Sequence, residues 1–315
     1  LRFLIIADPL EKLKVSTDSS LAFLRELLIR NNQVFWAESE QLGLLNNKVS
    51  VEASTCLYSE KESLPVLAHK KRYPITHFHG VLIRKDPPFD TEYMRMCWLL
   101  SLAEPFVYLF NRATSLLRYH EKMIPLEAYH RGYLKQTELI ATFLNAPAEA
   151  MTYLKFKKSH ELITKSFWGF GGNSIQKMKA KDFSAEKLKK DSLMQPFQEE
   201  VMTEGDARIF FLNGKRVGHF TRKPKEGEVV SNIARGGTAL EYELSKKQIQ
   251  MLDRLGKFFK AIRLEFAGVD MIGDCISEVN ITSPTGLLTY EKLFGKDLSV
   301  QIIDYIEKNA ASYRD

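Results

Sequence analysis

The chain has 315 residues, 44% of them hydrophobic and 27% charged, with a formal net charge of +6 at pH 7. That length predicts two or three cores and that composition a soluble globular protein. No run of eighteen uncharged apolar residues occurs, which excludes a membrane-spanning helix, and Cys56, Cys97 and Cys275 lack metal-ligand spacing, which argues against zinc and for a reducing, cytoplasmic compartment. The basic excess is spread along the chain, and its densest clusters, around Lys155–Lys158 and Lys177–Lys190, read as solvated surfaces. No nucleic-acid-binding motif accompanies them, and phosphate-bearing small molecules explain a basic excess equally well.

Residues 1–120 alternate apolar strand-like runs (RFLIIA, QVFWAES, VLIRK, FVYLF) with helical patterns such as SLAFLRELLIRN. That alternation predicts βαβ units and a parallel sheet. Asp8-Pro9 follows the first strand, and residues 17–20, TDSS, open the first helix with side-chain oxygens able to cap it. Both segments fall at carboxyl ends of strands, where open α/β sheets bind ligands. The run RKDPPFD (84–90) is a stiffened loop with converging charges, either a surface turn or a site loop. Residues 115–122, SLLRYHEK, read as helix.

Residues 123–200 form a region of different texture, with strand-like ELIATF and HELITKSF and a basic amphipathic stretch, predicting a small α+β domain. Its run KSFWGFGGNSI (165–175) ends a strand in Lys165 and continues through Gly169, Gly171 and Gly172. Bare N–H groups beside an ammonium suit phosphates, although the run is neither a P-loop nor a dinucleotide fingerprint, and a glycine-rich hairpin without a ligand is the other reading. Arg208 and Arg222 fall on the two strands of a hairpin turning at Asn213-Gly214. Residues 223–240 are polar and poorly periodic, a loop of lid length. A helix is predicted at about 245–263, with Leu252, Leu255 and Phe259 on one face, and another at 298–310.

The stretch AGVDMIGDCISEVNITSPTG (267–286) reads as two strands about a Gly-Asp turn. Asp270, Glu278 and Asn280 are hard oxygen donors in an apolar, β-branched background, the chemistry that Mg²⁺ bridging substrate phosphates requires, and so suggest an ATP site. The alternative is an ordinary hairpin with its acids in solvent. Glu278 and Asn280 share a face. Asp270 joins them only if the connecting loop holds an odd number of residues or a bulge intervenes.

The order of these pieces resembles the ATP-grasp superfamily and, within it, the prokaryotic glutathione synthetases. DPL…DSSLAFL, RKDPPFDTEY, the segment from Asn111 through Ser115 and Leu116 to Glu121-Lys122, GFGGNSI, EGDARIFFLNGK, SN…GG and GVDMIGD…EVNITSPTG stand in the family's order at similar spacings over nearly the whole chain. The resemblance implies an ATP-grasp architecture, mixing α/β and α+β: an N-terminal α/β domain with a parallel sheet (1–122), a small central lid domain (123–200) and a C-terminal antiparallel-sheet domain with the metal site (201–315). It implies an ATP-dependent carboxylate–amine ligase that joins γ-glutamylcysteine to glycine through an acyl phosphate, using ATP and Mg²⁺, with Mn²⁺ as the alternative ion.

By the same resemblance, Lys122 and Lys165 contact the nucleotide phosphates, and Gly169, Gly171, Gly172, Asn173 and Ser174 form the loop closing over them. Gln195, Phe197 and Gln198 lie at the adenine hinge, and Asp206 is the nucleotide-side aspartate. Asp270, Glu278 and Asn280 match the metal ligands, and Arg208 and Arg222 face the transferred phosphate and the substrate carboxylate. Asn232, Gly236 and Gly237 belong to a second lid loop, and Asp18, Ser19, Arg84, Ser283, Pro284 and Thr285 match the peptide-substrate side. The expected protein is a cytoplasmic homo-oligomer, with a tetramer as the suggested form, acting on small molecules and not on nucleic acid or membrane. Departures from the family pattern at Ser166, Trp168, Val230, Leu288 and Thr289 leave two alternatives: a ligase of the same build with another peptide or amino acid, or a non-catalytic ATP-binding regulatory module.

Overall fold

The computed structural model describes residues 1–57, 64–172, 174–184, 186, 188–233 and 236–313. The first of its sheets comprises β1 (Arg2–Ile6), β2 (Gln33–Ala37), β3 (Leu42–Leu45), β4 (Lys48–Leu57), β5 (Val66–Pro74), β6 (Gly80–Ile83) and β7 (Tyr108–Phe110), in the order β3-β4-β2-β1-β6-β7 with β5 on β4. Pairing is parallel among β1, β2, β6 and β7. It is antiparallel where β4 meets β2, β3 and β5. The parallel sheet that the alternation of strands and helices predicts is formed by β1, β2, β6 and β7, and β3, β4 and β5 extend it in antiparallel fashion. Asn46 and Asn47, at φ 48° and 63°, are all that joins β3 to β4, a connection that closes a hairpin and is far too short for the crossover parallel pairing needs.

Both faces of the parallel half are buried, so side chains alternate between two cores. Phe3 and Ile5 pack with Phe23 and Leu27 of α1 (Ser19–Ile29), whereas Leu4 and Ile6 pack with Met96 and Leu100 of α2 (Thr91–Ser101). Asp18 caps α1 by accepting from Ser20 N at 2.6 Å, and Asp90 caps α2 through Glu92 N and Tyr93 N. After α3 (Ala113–Arg118) the chain leaves helical geometry, four residues before the predicted end of that helix. The freed segment pairs with the C-terminal sheet instead: Val279 N donates to Glu121 O at 3.2 Å.

Following α4 (Ile124–His130), the second sheet contains β8 (Phe143–Leu144), β9 (Glu161–Ser166), β10 (Gln176–Lys179) and β11 (Ser192–Pro196) in the order β10-β9-β11-β8. Most of the run ELIATF is not strand; only Phe143 of it enters β8. This sheet packs with α5 (Pro147–Phe156) around a small core of Ala150, Leu154, Leu162 and Met194.

The third sheet follows α6 (Glu200–Thr203) and is antiparallel: β12 (Asp206–Leu212), β13 (Lys215–Lys223), β14 (Thr238–Leu240), β15 (Phe266–Ile272) and β16 (Cys275–Asn280), in the order β14-β13-β12-β15-β16. Its strands feed the same two cores as the first sheet, Ile209 and Phe211 on one side and Phe210 and Leu212 on the other. Leu252, Leu255 and Phe259 of α7 (Lys246–Ala261) are fully buried as their spacing predicts, and Ser245 opens that helix in a capping box with Gln248. Asn111 ties β7 to β15: it donates to Phe266 O at 2.7 Å and accepts from Phe266 N at 2.8 Å. α8 (Leu287–Phe294) and α9 (Leu298–Ser312) return the chain to α1. Among the described residues no helix is long and apolar enough to cross a membrane.

Candidate active site

The β15–β16 hairpin settles the face of Asp270. Ile272 pairs with Cys275 and Met271 with Ile276, but Asp270 pairs with Glu278 and Gly268 with Asn280, because the register shifts between Asp270 and Met271. Ser277 is the extra residue of a bulge, and the bulge re-aims Asp270 onto the face of Glu278 and Asn280. Asn280 Nδ2 donates to Asp270 Oδ2 at 3.1 Å.

Two arginines from the neighbouring strands converge on this face. Arg208 on β12 grips Asp270 in a fork, Nε to Oδ1 at 2.6 Å and Nη2 to Oδ2 at 3.0 Å, and Arg222 on β13 reaches Asp270 Oδ1 at 2.9 Å and Asp206 Oδ2 at 2.6 Å. Burial pushes the Asp270 carboxyl up, and the two guanidiniums more than reverse it, holding Asp270 ionised well below the ordinary carboxylate range. Burial dominates at Asp206, whose pKa is raised despite Arg222. Asp206 Oδ1 and Arg222 Nε are buried without a hydrogen-bond partner among the described residues. Orphaned polar atoms of this kind are costly, and they suit a place that receives a polar ligand.

Lysines approach from the other side. Lys165, next to last in β9, is 6% exposed. Burial lowers its pKa and Lys122 adds to that, while Glu278 opposes it. Lys122 lies 3.3 Å from Glu278 and donates to Gly169 O, so it connects the metal-type donor face with the glycine loop. Lys122 is positioned by its neighbour Glu121, which the sequence did not mark as a site residue. Glu121 accepts from Ile281 N at 2.9 Å, Thr282 N at 3.1 Å and Thr282 Oγ1 at 2.8 Å. Its place beside Lys122, in the segment that carries the family resemblance, is its signal in the sequence.

His120 stacks on Phe167 with centroids 4.1 Å apart and meets the edge of Trp168 at 5.4 Å, so Trp168 packs on this pair. Burial, and then Lys122, lower the His120 pKa to about 4. With the folded-state pKa below the unfolded one, the unfolded chain takes up a proton that the native state refuses. Stability is therefore greatest above the ordinary histidine pKa and falls as pH drops from about 6.5 towards about 4. His120→Phe keeps a ring on Phe167 and removes the proton, so its urea midpoint should vary less between about pH 7 and about pH 4.5 than that of the native chain. Equal pH dependence of the two proteins would exclude this role for His120.

The loop after β9 folds over these groups. Ser174 Oγ accepts from Ser166 N at 3.1 Å, and a Cβ on Gly169 would stand 2.1 Å from that oxygen, which is why glycine is required there. Asn173 lies outside the described residues. The second loop is anchored where Ser231 Oγ donates to Asp206 Oδ2 at 2.9 Å. Gly237 approaches Ser231 O so closely that a Cβ would come within 2.2 Å, and Gly236 at φ 93° turns the chain back. Beyond β16, Arg208 donates to Thr285 O at 2.8 Å and the buried Arg84 to Pro284 O at 3.1 Å, so two cations hold the main chain of residues 283–285.

These elements enclose two adjoining cavities. One, of about 230 Å³, is lined by Lys165, Gly171 and Gly172, by Asp206, Arg208 and Arg222, by Asp270, Glu278 and Asn280, and by Asn232 and Ser283–Thr285. The other, of about 570 Å³, shares Arg208, Arg222, Asn232 and Thr285 and extends to Asp18 and Thr289. A narrow cleft beside them is lined by Lys122, Lys165 and Gln195. Some candidates stand apart. Phe197 lies under Lys177 at 3.8 Å, Gln198 is bound to Pro196 O, and the buried Ser19 Oγ accepts from Leu287 N at 3.2 Å. Asp86, not singled out from the sequence, lines both cavities.

The donor set is one a hard divalent cation takes: two carboxylates and an amide, with Asn280 Oδ1 free to accept because its Nδ2 serves Asp270 and Gly268 O. Among the described residues no group of three or more His, Cys, Asp and Glu could hold a metal. Two carboxylates suit an ion that keeps water and substrate oxygens for its other positions.

Residues 1–117 match the family model described as the prokaryotic glutathione synthetase N-terminal domain, and residues 135–295 the one described as the prokaryotic glutathione synthetase ATP-grasp domain. A glutathione synthetase from Nitrosomonas europaea is 30% identical, covering 99% of this chain and 99% of the relative. One from Prochlorococcus marinus is 30% identical over 96% of this chain and 98% of the relative. Of solved structures, the D-cycloserine synthetase DcsG shares the fold at TM-score 0.67 and 14% identity, over 99% of each chain. The macrocyclase MdnC, bound with a precursor peptide, does so at 0.64 and 12%, over 98% of this chain and 100% of that one. With family matches on both halves and full-length relatives of one description, the chain belongs to the prokaryotic glutathione synthetase family and is an ATP-dependent ligase.

Proposed function

We propose that the chain condenses the cysteinyl carboxylate of γ-glutamylcysteine with the amine of glycine. The carboxylate oxygen takes the γ-phosphoryl group of ATP and ADP leaves; the amine then attacks the acyl carbon, a proton goes to solvent and phosphate departs. The observation that carries the reading is the convergence of Lys165, Arg208, Arg222 and the Asp270–Glu278–Asn280 face on one cavity whose described lining holds neither histidine nor cysteine. Such a site has cations and hard donors to position and neutralise phosphoryl groups, and no nucleophile with its base, which is what a reaction of this type asks of a protein.

Lys122 and Lys165 bind the nucleotide phosphates, and the backbone of Gly171 and Gly172 lines the cavity over them. Gln195 borders the cleft for the base. Arg208 and Arg222 line both cavities and so stand between phosphate and acid substrate. Asp270, Glu278 and Asn280 would hold Mg²⁺, with Mn²⁺ as the alternative. The ion, when bound, supplies charge neutralisation at the phosphates.

ADP release with defined acid and amine pairs tests the reading. Turnover should require γ-glutamylcysteine, glycine and a divalent cation, and hydroxylamine should trap the acyl phosphate as a hydroxamate. Turnover with another pair but not this one would move the chain to a different substrate. Tight ATP binding with no hydroxamate would make it a regulatory module.

A further inference from the structure

The larger cavity is lined by four cationic residues, Lys12, Lys14, Arg208 and Arg222, and by three acidic ones, Asp8, Asp18 and Asp86, of which Asp8 is paired with Lys85 and Asp18 caps α1. Both arginines are already committed to buried carboxylates, at Asp270 and Asp206. Neighbouring Lys85 is committed as well, at 2.5 Å from Asp8. Lys12 and Lys14 are exposed and have no ion pair or side-chain hydrogen bond among the described residues, so they are the uncommitted positive charges of this wall. Their backbone is nonetheless well held. Lys12 closes a turn through Pro9 O, and Lys14 O accepts from both Thr17 N at 3.0 Å and Asp18 N at 2.9 Å, immediately before the cap of α1. Lys292 of α8 braces the same turn through Ser16 O at 3.3 Å. Two ammonium groups are thus presented from a fixed loop to the end of the cavity that the phosphate side does not reach, since Lys12 and Lys14 do not line the smaller cavity.

We infer that Lys12 and Lys14 select the acid substrate by binding a second, non-reacting carboxylate on it, so that the site takes a peptide dicarboxylate and not a simple monocarboxylic acid. Arg208 and Arg222, which line both cavities, receive the reacting carboxylate, and the length of the larger cavity sets the separation of the two groups. The inference rests on the proposed ligation and adds the residues that read its acid. Exposed lysines bind as point charges, so the contribution is one of affinity and selectivity and not of the chemical step.

Steady-state ADP release tests it, with the KM of the acid substrate as readout. The native enzyme should prefer γ-glutamylcysteine roughly ten- to a hundred-fold over the analogue whose glutamyl α-carboxylate is an amide, the range expected of a charge-assisted contact. Lys12→Met and Lys14→Met should raise the KM for γ-glutamylcysteine and shrink that preference, with the KM for ATP unmoved, and Lys→Arg at each position should restore most of it. An unchanged preference in the double Met variant overturns the inference while leaving the ligation reading intact. If the native enzyme instead turns over another acid from a panel, the ligation reading has failed separately. The same variants are then measured on that acid, and a best substrate with a single carboxylate overturns the inference.

Discussion

Asp270→Asn should lose ligase turnover by ~10²- to 10³-fold and also unfold well below the native protein in the absence of any nucleotide. The second effect follows from the ion pairs. Asp270 is 9% exposed and balances two guanidiniums that are themselves 6% and 7% exposed. Removing one partner of a buried pair leaves the other charge unpaired and costs ~3–5 kcal/mol, which lowers the thermal midpoint by roughly 5–10 °C. Arg222 keeps Asp206, so Arg208 bears the loss. Glu278→Gln is the contrast. Its side chain is 22% exposed and makes one ion pair, with the 6%-exposed Lys122 at 3.3 Å, where Asp270 makes two, so turnover should fall as steeply while the midpoint drops less than for Asp270→Asn. Thermal denaturation without ligand, followed by ADP release, measures both. An Asp270→Asn protein as stable as the native one would show that the arginine fork contributes nothing to the fold.

The same pair of residues marks the limit of what a sequence discloses. The ordering of motifs, the turn at Asn213-Gly214, and the α7 helix with its buried face were all legible, because each rests on local chemistry. The face of Asp270 was not, since a bulge at Ser277 has no local signature and is decided by how β15 and β16 pair. Arg208 taken alone reads as a surface arginine, and its burial appears only when β12 is placed beside β15. Glu121 was hidden because SLLRYHEK has a helical pattern. The tertiary bonds from Ile281 and Thr282 override that propensity and pull Glu121 and Lys122 out of the helix. In the N-terminal sheet, Asn46-Asn47 was the available sign of a hairpin, and the stronger βαβ rhythm around it masked the antiparallel extension.

Lys165→Met should move stability in the opposite direction to Asp270→Asn. The Lys165 ammonium is buried and its pKa is lowered by that burial, with Lys122 as a further repulsion. Glu278, the nearest compensating carboxylate, already has Lys122 at 3.3 Å, so it is not abandoned when Lys165 goes. An unbranched apolar side chain of similar length takes the same position on β9, beside the cavities that Lys165 lines, without the desolvation cost. The nucleotide-free variant is therefore expected to gain ~1–2 kcal/mol, a midpoint roughly 2–4 °C higher. Its affinity for ATP should fall by ~10²-fold, because a charge-assisted contact to a phosphate is lost. The two effects can be read in one experiment. Ligand stabilisation grows with the logarithm of ligand concentration over Kd, so as ATP with divalent cation is added the native midpoint should climb and overtake that of the variant. A variant less stable than the native protein before any nucleotide is added would mean that Lys165 belongs to the fold's own charge balance. If the curves instead rise in parallel, Lys165 does not contact the nucleotide. Crossing curves would identify Lys165 as a charge kept buried, at a cost to the empty protein, for the phosphate that it meets.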